Sequence, residues 1–261
     1  MTFKAVFLDI DGTILRPDHS YSEKTKDAIE QLQNNGIEVF LATGRPIHEI
    51  KELATSLNID SFIGYNGALA IYNSETIVNE TMGENLVNKM VAISKDNQHE
   101  FVMYTNNMSY FANMNSPFSR DFSEIFQMNH IENYTSKVAD QILGITIMNV
   151  KEDEKALYQI DPSIVLAEVN VNNLNHTYDV LRTNVNKGEA IKKTLERLNI
   201  SADEVIAFGD GMNDKEMLQF VGEGFAMGNA NPDLFQYAKH KTTTVTEDGI
   251  YNGLKKLDLV L

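Results

Sequence analysis

Acidic side chains are concentrated in two short segments of this sequence, and carboxylates placed so closely can bind a metal ion or transfer protons. Asp9 and Asp11 stand two residues apart after an apolar run and are followed by Gly12. Asp210 and Asp214 stand in a second segment that also follows an apolar run. Carboxylates held this close repel each other, and a divalent cation relieves the repulsion. Because Asp-Gly also forms ordinary turns, neither segment alone decides between a turn and a catalytic site.

Other polar residues could complete such a site. Thr43 and Gly44 precede Arg45, and a hydroxyl with backbone amides at a helix start suits a phosphate oxygen, although a threonine there also serves as a helix cap. Lys187 could supply a cation in an acidic chain, although a single lysine is more often a surface residue. Asn213 adds an amide beside the second acidic segment. Mg²⁺ prefers sites whose ligand atoms are all oxygens, with no sulfur or nitrogen among them.

The apolar runs before these residues have the length and composition of strands buried in a parallel sheet. Segments with apolar residues at helical spacing separate them. Strands are predicted at residues 5–10, 37–42, 62–64, 205–209 and 224–227, and helices at 22–35, after 46, at 187–198, from 213 and from 232. This alternation predicts an α/β fold with a doubly wound, mainly parallel Rossmann-like sheet. We expect the polar residues to converge where the carboxyl ends of these strands meet.

The pattern changes between the two ends of the chain. After a hairpin predicted at 70–78, a helix follows Gly83, and paired strands follow at 101–104 and 109–112. Further strands are predicted near 142–150 and 165–169. Chains longer than ~250 residues often form two domains. The sequence therefore predicts a discontinuous catalytic core at 1–82 and 185–261, and an inserted α+β cap domain at 83–184.

Composition and charge exclude several classes of protein. The 261 residues include 22 Lys and Arg against 37 Asp and Glu, a formal net charge of −15, which repels nucleic acid and anionic membrane surfaces. The absence of cysteine excludes disulfides, thiolate nucleophiles and Cys-ligated zinc. No apolar run approaches the ~20 residues of a membrane span, and no signal peptide is recognisable at the start. We expect a cytoplasmic protein that binds neither nucleic acid nor membranes.

Taken in order, the polar motifs resemble those of the haloacid dehalogenase (HAD) superfamily and, within it, the Cof-type phosphatases. The four matching motifs are residues 9–13, 43–45, 187–188 and 209–214. Three secondary signatures also agree, at residues 66–68, 226–230 and 247–250. The resemblance covers the whole predicted core, whereas the insertion matches only in size and position. Four motifs in the same order are far more specific than any one of them.

The resemblance implies a Mg²⁺-dependent phosphomonoester hydrolase that works through an aspartyl-phosphate. Asp9 would be the nucleophile, and Asp11 the acid that protonates the leaving alcohol and then the base that activates water. Thr43 and Lys187 would also be catalytic, because they hold the transferring oxygens and stabilise their charge. The implied substrate-binding residues are Thr43, Gly44, Arg45, Lys187 and Asn213. The implied metal ligands are Asp9, Asp11 through its backbone carbonyl, Asp210, and Asp214, which mainly orients the site.

The expected partner is a small phosphorylated metabolite such as a sugar phosphate, chosen by contacts from the cap. The expected assembly is a monomer or a weak homo-oligomer. A phosphosugar mutase or phosphotransferase on the same scaffold is one alternative. A non-hydrolytic phosphoacceptor protein is another, although a second carboxylate at Asp11 favours hydrolysis of the phosphoryl group. A dinucleotide-binding oxidoreductase is not favoured, because no G-x-G-x-x-G follows the first strand. The role of Arg45 stays open between helix capping, an acidic partner and the substrate.

Overall fold

Strands and helices alternate at both ends of the chain in a computed structural model that describes residues 2–169 and 174–261. The strands are β1 (Ala5–Leu8), β2 (Glu38–Ala42), β3 (Ser61–Gly64), β4 (Leu69–Tyr72), β5 (Glu75–Asn79), β6 (Glu100–Tyr104), β7 (Ser109–Phe111), β8 (Ile131–Asn133), β9 (Gly144–Met148), β10 (Ile164–Glu168), β11 (Tyr178–Arg182), β12 (Val205–Gly209), β13 (Glu223–Ala226) and β14 (His240–Lys241). The α-helices are α1 (Glu23–Asn34), α2 (Lys51–Ser56), α3 (Glu84–Asn97), α4 (Pro117–Ile125), α5 (Lys187–Leu198), α6 (Lys215–Phe220) and α7 (Gly249–Lys255).

Backbone contacts divide the chain into two units. The core unit is Met1–Arg45, Lys51–Val78 and Asn186–Leu261, and the insert unit is Pro46–Ile50 and Asn79–Val185. The expected catalytic core and cap, with their boundaries near 83 and 184, stay a prediction about the roles of these segments. No helix within residues 2–169 and 174–261 combines the length and apolar character that a bilayer crossing would need.

An eight-stranded sheet with the order β14-β13-β12-β1-β2-β3-β4-β5 forms the centre of the core unit. Every neighbouring pair from β14 to β3 is parallel, and β4 returns antiparallel to β3. β1, β12 and β13 are buried along their whole length, and β1 and β12 accordingly have continuous apolar sequences. The predicted doubly wound, mainly parallel α/β sheet is therefore confirmed.

The strand order reverses beside β1. From β1 the chain adds β2 and β3 on one side, and after the insertion it adds β12, β13 and β14 on the other. Leu8 pairs with Phe208, and the backbone N–H of Asp9 continues this ladder by donating to the Phe208 carbonyl at 3.0 Å. A crevice forms outside the carboxyl ends of strands at such a reversal. The loops after β1 and β12 carry the two acidic segments, so the fold brings them together.

Local sequence determines how the chain returns between strands. The Ser22 side chain accepts a hydrogen bond from the backbone N–H of Thr25 at 3.1 Å, so α1 begins there. Ile29 and Leu32 are buried on one face of α1. Gly36, with φ of 73°, turns the chain into β2. The predicted helix at 22–35 is thus observed as α1.

Three predicted helices are shorter or of another type. The segment after Arg45 opens with a 3₁₀ turn, Ile47–Glu49, before α2 begins. The helix expected from Asn213 opens with a 3₁₀ turn, Met212–Asp214, before α6 begins. The helix expected from Pro232 is only the 3₁₀ turn Pro232–Gln236, so that prediction was wrong. The chain leaves this turn after Gln236 and enters β14 at His240, where it pairs with β13.

The insert unit contains a six-stranded sheet with the order β10-β11-β9-β6-β7-β8. Val87 and Met90 of α3 pack against one apolar cluster that includes Phe101 and Met103 of β6. A second apolar cluster includes Phe122 of α4 and residues of β6 and β7. Alternate residues of β6 therefore pack into two clusters. The sequence pattern did not predict α4, β8 or β11.

A chain of hydrogen bonds crosses the sheet of the insert unit. The Thr146 hydroxyl donates to the Asp179 carboxylate at 2.6 Å, and the Tyr104 hydroxyl lies 3.0 Å from the Thr146 oxygen. Desolvation raises the pKa of the half-buried Asp179, and the hydrogen bond from Thr146 only partly opposes this rise. The folded protein therefore holds a proton on Asp179 more tightly than the unfolded chain does.

We expect Asp179→Asn to raise the melting temperature by a few degrees near neutral pH. A pKa that is higher in the folded state means that the charged carboxylate destabilises the fold above that pKa. The cost disappears as the pH falls towards the unfolded value of about 3.9. The melting temperatures of wild type and variant should be measured from neutral to acidic pH. The difference between them should therefore disappear in acid.

Asp161→Asn is the matched control, and it should shift the melting temperature in the opposite direction. Hydrogen bonds from the Ser163 hydroxyl at 2.6 Å and its backbone N–H at 2.8 Å lower the pKa of Asp161. This exposed carboxylate therefore stabilises the fold above its unfolded pKa, and its contribution is lost in acid. The Asp161 variant should melt slightly below wild type at neutral pH. If both variants shifted the melting temperature in the same direction at neutral pH, the opposite pKa shifts assigned to Asp179 and Asp161 would be contradicted.

Candidate active site

A buried lysine lies at the centre of the acidic loops. The Lys187 ammonium donates to Oδ1 of Asp9 at 2.6 Å and to Oδ1 of Asp214 at 2.5 Å. The side chains of Lys187 and Asp214 are fully buried, and that of Asp9 is 8% exposed. Asp9 follows β1, Lys187 begins α5 and Asp214 precedes α6, so three separate segments meet at one cation.

The start of α5 positions Lys187. The Asn186 side chain accepts a hydrogen bond from the backbone N–H of Glu189 at 2.9 Å, which caps the helix so that Lys187 is its first residue. Gly67 packs against this cap, because a Cβ on Gly67 would lie 2.2 Å from the Asn186 carbonyl oxygen. The close approach fixes where α5 begins, and with it the position of the ammonium group.

The loop after β12 holds Asp214 from the other side. Oδ2 of Asp214 accepts hydrogen bonds from the backbone N–H groups of Asp210 and Gly211, each at 3.0 Å. Gly209 leaves the space that this carboxylate occupies, since a Cβ there would lie 2.5 Å from the Asp214 carboxyl carbon. Both oxygens of Asp214 thus accept hydrogen bonds, and the residue links Lys187 to the loop.

Asp9, Asp210 and Asp214 each place a carboxylate oxygen within 4.8 Å of the others. Desolvation, followed by the charge of Asp214, raises the pKa of Asp210 to about 7 and that of Asp9 well above its usual value. Burial disfavours a charged lysine, but Asp214 and Asp9 more than compensate and raise the pKa of Lys187. Three carboxylates against one ammonium leave excess negative charge, and a divalent cation would neutralise it.

Asp11 lies outside that cluster and has a cation of its own. Its carboxylate accepts two hydrogen bonds from the Arg45 guanidinium, at 2.7 Å from Nε and 2.5 Å from a terminal nitrogen. The Asp11 side chain is 52% exposed. Of the roles considered for Arg45, the structure shows an acidic partner, in the form of a bidentate ion pair with Asp11.

Thr43 and Asn213 lie on either side of one asparagine. Thr43 is buried, and its hydroxyl oxygen accepts a hydrogen bond from the backbone N–H of Arg45 at 3.0 Å. The backbone N–H of Asn66 donates to the Thr43 carbonyl at 3.1 Å, and the Asn66 side chain accepts from Asn213 at 3.0 Å. A Cβ on Gly44 would lie 3.0 Å from the same Asn66 oxygen.

The structure thus places the predicted site residues in three groups. One contains Asp9, Lys187, Asp210 and Asp214, another contains Asp11 and Arg45, and the third contains Thr43, Gly44 and Asn213 around Asn66. The side chain of Asp11 is not part of the three-carboxylate cluster found among residues 2–169 and 174–261. Metal binding through its backbone carbonyl stays a prediction.

Several residues of the site had no role in the sequence analysis. Thr13 donates to Asp210 at 3.4 Å, and Asn229 donates to the Gly12 carbonyl at 2.8 Å. Asn66 and Asn229 stand within the secondary signatures at 66–68 and 226–230, which marked the segments without assigning a function. The signal that could have found them is an asparagine just after a strand end that faces the same crevice.

Known proteins resemble this chain in sequence and in fold. The sequence profile of the haloacid dehalogenase-like hydrolases matches residues 6–254. The chain belongs to this family. YkrA of Bacillus subtilis is 32% identical over 264 residues, covering all of both chains, and the phosphatase YwpJ of the same organism is 28% identical over 299 residues, covering 97% and 99%. A solved HAD subclass IIB sugar phosphatase has a TM-score of 0.83 and 26% identity, covering 98% of this chain and 100% of the other.

The expected membership of the HAD superfamily is therefore confirmed, and so is the prediction of a HAD-type phosphatase. A buried carboxylate beside a lysine can attack phosphorus, and an exposed carboxylate close by can exchange protons. Both groups are present in the core unit, at Asp9 and Asp11.

We expect Gly12→Ala to lower phosphatase activity by about 100-fold, because a displacement of about 1 Å in an active site can have that effect. Gly12 has φ of 78°, and a Cβ there would lie 2.2 Å from Oδ2 of Asp210, so the carboxylate must turn away. Steady-state phosphate release, with circular dichroism to confirm folding, measures the effect.

Gly36→Ala provides the control for backbone strain. Gly36 has nearly the same φ, 73°, but a Cβ there meets no atom within 4 Å. Both variants carry the strain of an alanine at positive φ, whereas only one displaces a carboxylate. Equal activities for the two variants would show that Asp210 tolerates the displacement.

Proposed function

We propose that this phosphatase is a Mg²⁺-dependent phosphomonoester hydrolase that forms an aspartyl-phosphate on Asp9 and acts on small metabolites such as sugar phosphates. The observation that carries the proposal is the contact of 2.6 Å between the buried carboxylate of Asp9 and the Lys187 ammonium, beside Asp210 and Asp214. A nucleophile, a cation and an oxygen-only set of donors are thereby available at one point.

The chemistry of the donors fits Mg²⁺, which prefers a few carboxylates together with water and substrate phosphate. Asp9 and Asp210 would hold the ion, with the backbone carbonyl of Asp11 as a further ligand. Asp214 would act through Lys187 and the loop, because both of its oxygens already accept hydrogen bonds. When bound, Mg²⁺ would polarise the phosphoryl group and offset the charge that develops on its oxygens.

In the first half-reaction, a carboxylate oxygen of Asp9 attacks phosphorus and the bond to the leaving alcohol breaks. Burial raises the pKa of Asp9, whereas Lys187 opposes this rise and favours the ionised, nucleophilic form. The hydroxyl oxygen of Thr43 accepts from the Arg45 backbone, so its hydrogen can be donated to a phosphoryl oxygen. Lys187 and Thr43 would thus stabilise the charge on the transferring group.

Asp11 would transfer the protons. It protonates the leaving alcohol in the first half-reaction and then takes a proton from the water that hydrolyses the aspartyl-phosphate. Its side chain is half exposed, and the Arg45 guanidinium holds its carboxylate through two hydrogen bonds. Arg45 would orient the Asp11 carboxylate. We also propose that Arg45, Gly44 and Asn213 contact the substrate.

The support for a sugar phosphate is the likeness to a sugar phosphatase along nearly the whole of both chains. We propose the insert unit as the cap that selects the leaving group. The comparisons favour phosphatases over the mutase and phosphoacceptor alternatives. A cytoplasmic location, a monomeric or weakly associating state, and the absence of nucleic acid and membrane partners stay predictions.

We expect Asp9→Asn to lower phosphate release at least about 1,000-fold, because the nucleophile is lost. The assay measures release from sugar phosphates, nucleotides and an aryl phosphate, each with Mg²⁺ or with EDTA. EDTA should abolish the wild-type reaction. Asp27→Asn, at an exposed position of α1, is the matched control and should keep wild-type activity. Metal-independent turnover, or turnover retained by Asp9→Asn, would disprove the proposed mechanism.

We expect Asp11→Asn to affect substrates unequally. An alkoxide is a poor leaving group and needs a proton, so kcat/KM for a sugar phosphate should fall by about 100- to 10,000-fold. An aryl oxide leaves more readily, so phosphoryl transfer from an aryl phosphate to Asp9 should slow less. Stopped-flow measurement of aryl alcohol release and steady-state measurement of phosphate separate the two half-reactions. An equal loss for both substrates in the first half-reaction would exclude Asp11 as the acid.

A further inference from the structure

Asn229 joins three loops of the core unit through one side chain. It follows β13, and its amide nitrogen donates to the Gly12 carbonyl at 2.8 Å and to Oδ2 of Asp210 at 3.3 Å. Its amide oxygen accepts from the backbone N–H of Val245 at 2.8 Å. The loops after β1 and β12, which carry the acidic residues, are therefore linked through an amide that belongs to neither.

The linked atoms lie at a close approach between the two acidic loops. A Cβ on Gly12 would lie 2.2 Å from Oδ2 of Asp210, the same oxygen that accepts from Asn229. The Thr13 hydroxyl donates to the other oxygen, Oδ1, at 3.4 Å. Each oxygen of Asp210 thus accepts a hydrogen bond, and Thr13 and Asn229 orient its carboxylate.

We infer that Asn229 is a positioning residue, which orients the Asp210 carboxylate towards Mg²⁺ and fixes the Gly12 backbone beside it. The inference rests on the proposed function, since it assigns Asp210 to the metal. Partners that hydrogen-bond to a metal ligand fix its orientation, and their loss typically weakens metal binding or activity by about 10- to 100-fold. Asn229 itself contacts no reacting group in this assignment.

A purely structural role would act through Val245 alone. A second asparagine also holds the loop that contains Val245. The Asn252 side chain donates to the Thr243 hydroxyl at 2.9 Å and to the Glu247 carbonyl at 2.7 Å. Among residues 2–169 and 174–261, the Asn252 side chain forms no hydrogen bond with Asp210 or Gly12. Asn252→Ala therefore loosens the same loop and leaves the acidic residues untouched, which makes it the matched control.

The test can use the intact, folded enzyme. Asn229 is exposed, so its truncation creates no cavity in the core and the variant should fold. Mg²⁺ binding is measured without substrate, by titrating the metal-free protein with MgCl₂ and following the melting temperature. This readout is independent of turnover.

Asn229→Ala should raise the Mg²⁺ concentration for half-maximal stabilisation about ten-fold, while Asn252→Ala should change it less than two-fold. In steady-state assays at saturating Mg²⁺, Asn229→Ala should lower kcat and leave KM within about two-fold, because the carboxylate that loses its orientation, Asp210, is assigned to the metal and not to the substrate. Unchanged Mg²⁺ binding in Asn229→Ala, or an equal defect in Asn252→Ala, would overturn the inference.

Asn229→Asp separates the two sides of the amide. It keeps an oxygen to accept from Val245, but it replaces the donor to Gly12 and Asp210 with a second oxygen. We expect kcat of Asn229→Asp to stay as low as that of Asn229→Ala. If Asn229 only held the Val245 loop, this change would restore activity. Recovery of wild-type kcat would therefore overturn the inference. A wild-type protein that binds no Mg²⁺ would overturn both this inference and the proposed function. Normal Mg²⁺ binding by wild type, with no defect in Asn229→Ala, would overturn the inference alone.

Discussion

The ion pairs of Lys187 with Asp9 and Asp214 impose the strongest constraint on the core unit. A buried carboxylate is unstable without a cation, and here a single ammonium contacts two of them, at 2.6 and 2.5 Å. Each partner comes from a different part of the sequence, so the contact forms only when the sheet is assembled. The excess of negative charge around Asp210 remains after Lys187 has been counted, and it is this excess that makes the site suited to a divalent cation.

Backbone must come very close to side chains for these charges to meet, and glycine makes this possible at specific points. At Gly12 and Gly209 a Cβ would collide with the carboxylates of Asp210 and Asp214. At Gly67 it would collide with the carbonyl of Asn186, which caps α5. The glycines beside the acidic residues therefore leave room for neighbouring carboxylates, in addition to forming turns. This explains why acidic residues and glycines occur together in the motifs.

The sequence predicted the parts of the fold and site that depend on local pattern. Buried parallel strands are continuous apolar runs, and polar residues directly after them must share one edge, which is why Asp9, Thr43 and Asp210 could be grouped in advance. Lys187 begins a helix, and it was assigned to the site through the family resemblance. Side-chain direction could not be predicted. The pairing of Asp11 with Arg45 and the reach of Asn229 to Asp210 depend on loop geometry between distant segments. In the insert unit, β8 has only three residues and one of them is half-buried, too weak a pattern to identify a strand.

The two carboxylates that stand closest in sequence have opposite surroundings, and this difference can separate their chemical roles. Asp9 is buried against a lysine, so water is kept from it and its charge is stabilised by a fixed cation. Asp11 is half exposed, and it is held by an arginine whose guanidinium is itself partly exposed. A nucleophile benefits from exclusion of water, whereas a group that gives a proton to one molecule and takes it from another must reach both. The single turn at Gly12, immediately after β1, thus supports two carboxylates with different tasks, because one points into the protein and the other towards solvent.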